Sequence, residues 1–148
     1  MELVAKAPAL VGLKQLNFSN CDSGQFLFGG HPKIKYSWEK GFKDLSTSPM
    51  RLEVLQFRHT DIGCEEVEVL AKAPNMKDLT YLDLRSSDVR DEGILALLAA
   101  LPSNLGSLKY LRVHHNDLGQ EARDQFVTEY RLNRDYLRIA LEYARYIT

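Results

Sequence analysis

Leu79-Thr-Tyr-Leu82-Asp-Leu84-Arg-Ser-Ser87-Asp-Val89 places apolar residues at its first, fourth, sixth and eleventh positions and a small polar residue at its ninth. Three other stretches keep the spacing: Leu13, Leu16, Phe18 and Cys21; Leu52, Leu55, Phe57, Thr60 and Ile62; Leu108, Leu111, Val113, Asn116 and Leu118. The apolar-x-apolar centre has the period of two that marks a strand with one buried face. From Leu52 to Leu79 the pattern advances 27 residues, and from Leu79 to Leu108 it advances 29. That length accommodates a strand, a turn, a helix and a return loop in each unit.

The stretches that follow the strands agree. Glu65 to Ala73 runs into Pro74, and Asp91 to Leu101 runs into Pro102. Both carry acidic residues in the first turn, where they favour the helix dipole. Asp91 is predicted as an N-cap, with Ile94, Leu97, Leu98 and Leu101 as the stripe that packs on the sheet. A second repeat signal lies at the start: Glu2 to Pro8 followed by Leu13 mirrors Glu68 to Pro74 followed by Leu79, at a constant offset of 66. The chain is therefore expected to open partway through a unit, in a helix whose own strand is absent. A neighbouring chain or domain is expected to cover that N-terminal edge.

The first unit is irregular and runs 39 residues from Leu13 to Leu52. Within 26–51, Gly29, Gly30 and Pro32 argue against a regular helix. Ile34, Tyr36 and Trp38 alternate with Lys35 and Ser37, which predicts a short strand that Glu39, Lys40 and Gly41 turn back. The excursion is basic through Lys33, Lys35, Lys40 and Lys43 and carries the only Trp. It is expected to be a contact surface, with Lys35, Tyr36 and Trp38 as its binding residues. At the far end Glu121 to Ile147 is mostly strong helix former, with no further strand line expected after it. The organisation is thus an array over 1–119 and a C-terminal capping helix or helix pair over 120–148.

These residues resemble the ribonuclease-inhibitor-like class of leucine-rich repeats, over nearly the whole chain apart from the excursion. Asp91-Glu92-Gly93 after the repeat line looks like the helix start of that class. The resemblance implies an α/β solenoid, a horseshoe with parallel strands on its concave face and helices on its convex face. It also implies a protein-binding scaffold. The inhibitor that names the class is cysteine-rich and this chain has two cysteines, so ribonuclease binding is not implied.

Several function classes are disfavoured. A formal net charge of −1 argues against nucleic acid and anionic membranes as partners. No stretch approaches the roughly 20 apolar residues of a membrane span. The N-terminus lacks the charged start and apolar run of a secretory signal, and two cysteines in separate units do not make a disulfide framework, so an intracellular, cytoplasmic setting is expected. Neither G-x-S-x-G nor G-x-x-x-x-G-K-[ST] occurs, and no catalytic residue, cofactor or metal is expected. Asp22, Asp61, Asp88 and Asp117, one per unit, are expected to satisfy turn amides rather than to bind a metal.

Binding is expected on the sheet. Residues flanking each inward Leu face outward, so Arg58, Arg85 and His114 should form one row across the strands, with Tyr81 beside Tyr110 and Arg112 beside Asp83. Arg and Tyr are enriched at interface hot spots. The row would suit an acidic segment of a protein partner or a phosphate. The function expected is a non-enzymatic protein–protein interaction module. The alternatives are a structural subunit of a larger assembly and a regulatory domain acting on an enzyme, as GTPase-activating leucine-rich arrays do.

Overall fold

A computed structural model describes residues 11–21, 38–133 and 138–139. In chain order these form β1 (Gln15–Asn17), α1 (Trp38–Ser46), β2 (Val54–Gln56), α2 (Cys64–Lys72), β3 (Tyr81–Asp83), α3 (Asp91–Ala100), β4 (Tyr110–Arg112), α4 (Gln120–Asn133) and β5 (Arg138–Ile139). The strands make one parallel sheet in sequence order. Leu16, Leu55, Leu82 and Leu111 are in register across it, as the spacing predicts.

Each of these leucines is buried, and so are Phe57, Leu84 and Val113 two residues on and Ile62, Val89 and Leu118 at the eleventh position. They pack against Phe42 and Leu45 of α1, Val67 and Leu70 of α2, and Ile94, Leu97 and Leu98 of α3. Leu101 is partly buried at the margin of the same cluster. Helices therefore back one face of the sheet, and the flanking strand residues are left on the other.

Two devices recur at the strand ends. Asn20, His59, Ser86 and His115 each stand two residues beyond the last apolar strand position, and each has a left-handed backbone, φ 62°, 54°, 52° and 61°. That conformation reverses the chain toward the helix, and it is filled without glycine in all four units. The small polar residue that follows ties the turn down. Asn116 donates through Nδ2 to the carbonyls of Leu84 and Val113, both at 2.7 Å, and accepts from the amides of Ser87 and Val89 at 3.2 and 3.3 Å. Thr60 and Ser87 both donate to the Phe57 carbonyl, at 2.7 and 3.0 Å. This position ties down the turns of the second, third and fourth units. Asp61 accepts the Trp38 indole N–H at 2.6 Å, and Asp88 lies 3.8 Å from Arg90.

Three sequence expectations are corrected. The strand and turn expected at 34–41 give way, over its described part, to helix α1 beginning at Trp38. Trp38, Phe42 and Leu45 recur at helical spacing, and burial of that stripe outweighs the alternation preceding it. Second, helix does not continue through 121–147. It ends at Asn133, and β5 pairs in parallel with β4, Ile139 opposite Leu111. Tyr136, Ile139 and Leu141 repeat the apolar spacing with Tyr in the first place, which conceals the line. Third, Asp91 is the first helical residue of α3 and not its N-cap. Its carboxylate serves the next unit, accepting the Gly119 amide at 2.7 Å just before α4 begins. One unit earlier the Cys64 sulfur, at the same place in α2, lies 3.3 Å from the Arg90 amide as its acceptor. The left-handed backbone at His115 also brings the rings of His114 and His115 edge to face, 4.9 Å apart. The helix expected near 2–8 and the residues Lys35 and Tyr36 lie outside the described residues.

Candidate functional site on the open sheet face

The strand residues away from the helices converge on one patch. Val54, Tyr81 and Tyr110 are adjacent in register, as are Gln56, Asp83 and Arg112. The rings of Tyr81 and Tyr110 lie 6.1 Å apart and tilted, and the Arg112 guanidinium sits over the Tyr81 ring at 5.8 Å. Tyr110 is 38% exposed, one of the two large hydrophobic residues exposed among those described. A tyrosine pair with a guanidinium stacked on it offers flat apolar area, two hydroxyls and a cation within one small surface.

The arginine row has a more uneven character than the spacing alone suggests. Arg58 is exposed, while Arg85 is held down on Asp83, Nη2 to Oδ2 at 2.6 Å and Nε to Oδ1 at 2.8 Å. Asp83 is only 1% exposed despite its place on the outward side of β3. Burial pushes its carboxyl up in pKa. The Arg85 side-chain and backbone hydrogen bonds, with the charges of Arg85 and Arg112, outweigh that and hold it below the ordinary carboxylate value. Tyr81 adds a long contact from its hydroxyl at 3.4 Å. Asp83 thus anchors the face from beneath, neutralising Arg85 and orienting Tyr81. Sequence reasoning placed it beside Arg112 but gave no sign that it was buried; the Arg two residues along on the same strand face was the available signal.

Trp38 has a different place from the one expected. Its ring meets Phe18, Phe57 and Phe42 edge-on, with centroids 6.0, 5.8 and 6.4 Å away, and its N–H is taken by Asp61. Phe18 stacks on Phe57 at 5.4 Å. The indole therefore ties the first unit to the second, with part of its surface left exposed.

A shallow depression of about 390 Å³ lies at the opposite end of the strands, lined by Glu53, Asp78, Thr80, Ser107 and Lys109 among others. Its carboxylates are engaged, Glu53 with Lys14 at 3.2 Å and Asp78 with Arg51 at 2.6 Å. No group of three or more potential metal ligands occurs among the described residues, and no described helix is long and apolar enough to cross a membrane.

No curated protein matches the sequence. A family model described as Leucine Rich repeat matches residues 75–98, the stretch that contains β3, its left-handed turn and most of α3.

Proposed function

We propose that the chain is a non-enzymatic protein–protein interaction module of the ribonuclease-inhibitor-like class, an intracellular and cytoplasmic horseshoe whose open sheet face is the concave one. Residues 1–119 form its array and residues 120–148 close the far end. A protein partner docks across β2, β3 and β4, touching Tyr81, Tyr110 and Arg112 at the centre and Arg58, Arg85 and His114 along the strand ends. The observation that carries this reading is the exposed Tyr81–Tyr110 pair with Arg112 stacked upon it, because aromatic and arginine anchors dominate interface energetics. Leucine-rich repeats in general serve as protein-interaction modules, which supports the same assignment. The test is capture of partners by the native chain, compared with Tyr110→Asp and Arg112→Glu. Loss of capture with unchanged thermal unfolding is expected; capture that survives both changes refutes the assignment.

A second reading, a structural subunit with a neighbouring chain or domain on the N-terminal edge, is favoured by burial that fades toward β1. Leu16 is 8% exposed where Leu55, Leu82 and Leu111 are at 0%, and Val11 is 45% exposed. A partner lost on Val11→Asp but retained on Tyr110→Asp would select this reading over the first.

A further inference from the structure

The charges of the open face select among protein ligands, an inference that rests on the docking reading above. Arg85 is already neutralised by Asp83, its side chain only 18% exposed. Among the described residues, Arg58 and Arg112 make no ion pair, and the tyrosine pair lies two residues before Arg112 along the strands, on the side away from Arg58. By register Arg58 lies level with His114, two residues beyond Arg112 and two strands away, a separation of about 12 Å at ordinary strand spacing and rise. Between them, on β3, lie Asp83 and Arg85, paired to each other.

We propose that the occupant of this face is a linear acidic segment of another protein, with two carboxylates three or four residues apart and an apolar residue beside the one that meets Arg112. An extended chain advances roughly 3.3 Å per residue, so that spacing matches the backbone separation of the two arginine positions. Each guanidinium offers a planar fork of donors that matches a carboxylate in two hydrogen bonds. The apolar side chain that flanks the pair lies on Tyr81 and Tyr110, next to Arg112. A nucleic acid fits less well, since a phosphate backbone calls for a continuous track of cations and Asp83 interrupts this one.

The experiment is selection of displayed random short peptides on the full chain, in parallel with the Arg58→Gln/Arg112→Gln variant and with Tyr110→Ser, each checked for folding by circular dichroism. Selected peptides are expected to be enriched in Asp or Glu pairs at the stated spacing, flanked on one side by an aromatic or aliphatic residue. Their affinity should fall about tenfold on the double arginine variant, more steeply at low salt than at high. Three results overturn the inference: no peptide selected, peptides without acidic pairs, or acidic peptides that bind the double variant equally well. A fourth is tighter binding of a single-stranded oligonucleotide than of any selected peptide. Non-acidic peptides that depend on Tyr110 would end this inference and leave the docking face standing. Peptides indifferent to all three substitutions would end both.

Discussion

The carboxylate of Asp91 accepts the backbone N–H of Gly119 at 2.7 Å, so the first residue of α3 completes the start of α4 in the following unit. The first amides of a helix have no partner within it, and here the neighbouring unit supplies one. A Cβ on Gly119 would lie 2.5 Å from the Asp91 Oδ2, which leaves room for glycine alone while the carboxylate holds its position. Asp91→Ala should cost about 1–2 kcal/mol, the usual worth of a helix-start acceptor. Gly119→Ala should cost a similar amount by displacing the carboxylate, and should cost almost nothing further in the Asp91→Ala background. Urea unfolding of the two single variants and the double variant measures this; additive losses would refute the shared cause.

Gly93 marks the closest approach of α3 to its neighbour. A Cβ there would meet Val89 Cγ1 at 2.9 Å and the Cys64 Cα at 3.2 Å, one a fully buried side chain and the other backbone. Alanine is ordinarily the better helix residue by about 1 kcal/mol. At this site overpacking, about 1–3 kcal/mol, should exceed that gain and make Gly93→Ala destabilising. A raised urea midpoint would contradict the packing described.

His59 is exposed and holds a φ of 54°. An exposed substitution ordinarily changes stability by less than about 0.5 kcal/mol. His59→Val, whose branched Cβ crowds the left-handed region, should instead cost about 1–2 kcal/mol, while His59→Asn should be neutral or stabilising. Thermal unfolding of the pair tests whether backbone conformation, and not the imidazole, is what the position requires.

The Asp83 carboxyl has its pKa lowered in the folded protein, first against burial and by virtue of the Arg85 hydrogen bonds. A group depressed in this way stabilises the fold fully above its unfolded pKa, near the ordinary 3.8, and loses that contribution as pH falls through the lower folded value. Asp83→Asn should therefore be least favourable relative to the native chain at neutral pH, by about 1–3 kcal/mol, with the gap narrowing toward strongly acid conditions. Denaturant midpoints of both proteins across that range give the measurement. A gap independent of pH would show that charge at Asp83 is not the cause.

The regular parts of this chain were legible because they depend on spacing. Leu55 opposite Leu82, and Tyr81 beside Tyr110, follow once the repeat line is aligned. The exceptions arose where a local signal competed with a tertiary one. Ile34, Tyr36 and Trp38 alternate as a strand would, yet Trp38 and Phe42 are drawn into a helix by Phe18 and Phe57 from separate strands, contacts no local window contains. β5 was hidden by Tyr136 in a leucine place. At the candidate site, alternation assigned Asp83 to the outward side correctly but could not reveal that Arg85 would fold back to bury it.

The enclosure of Trp38 gives the protein a built-in optical reporter. It is the only tryptophan, and it sits among Phe18, Phe42 and Phe57 with its N–H on Asp61. Its emission therefore senses the junction of the first and second units, while far-ultraviolet ellipticity sums over every helix. In repeat chains, where contacts run only between neighbours, one end is free to melt ahead of the other. Fluorescence and ellipticity recorded on the same heated sample thus resolve the order in which the units come apart, with no label introduced.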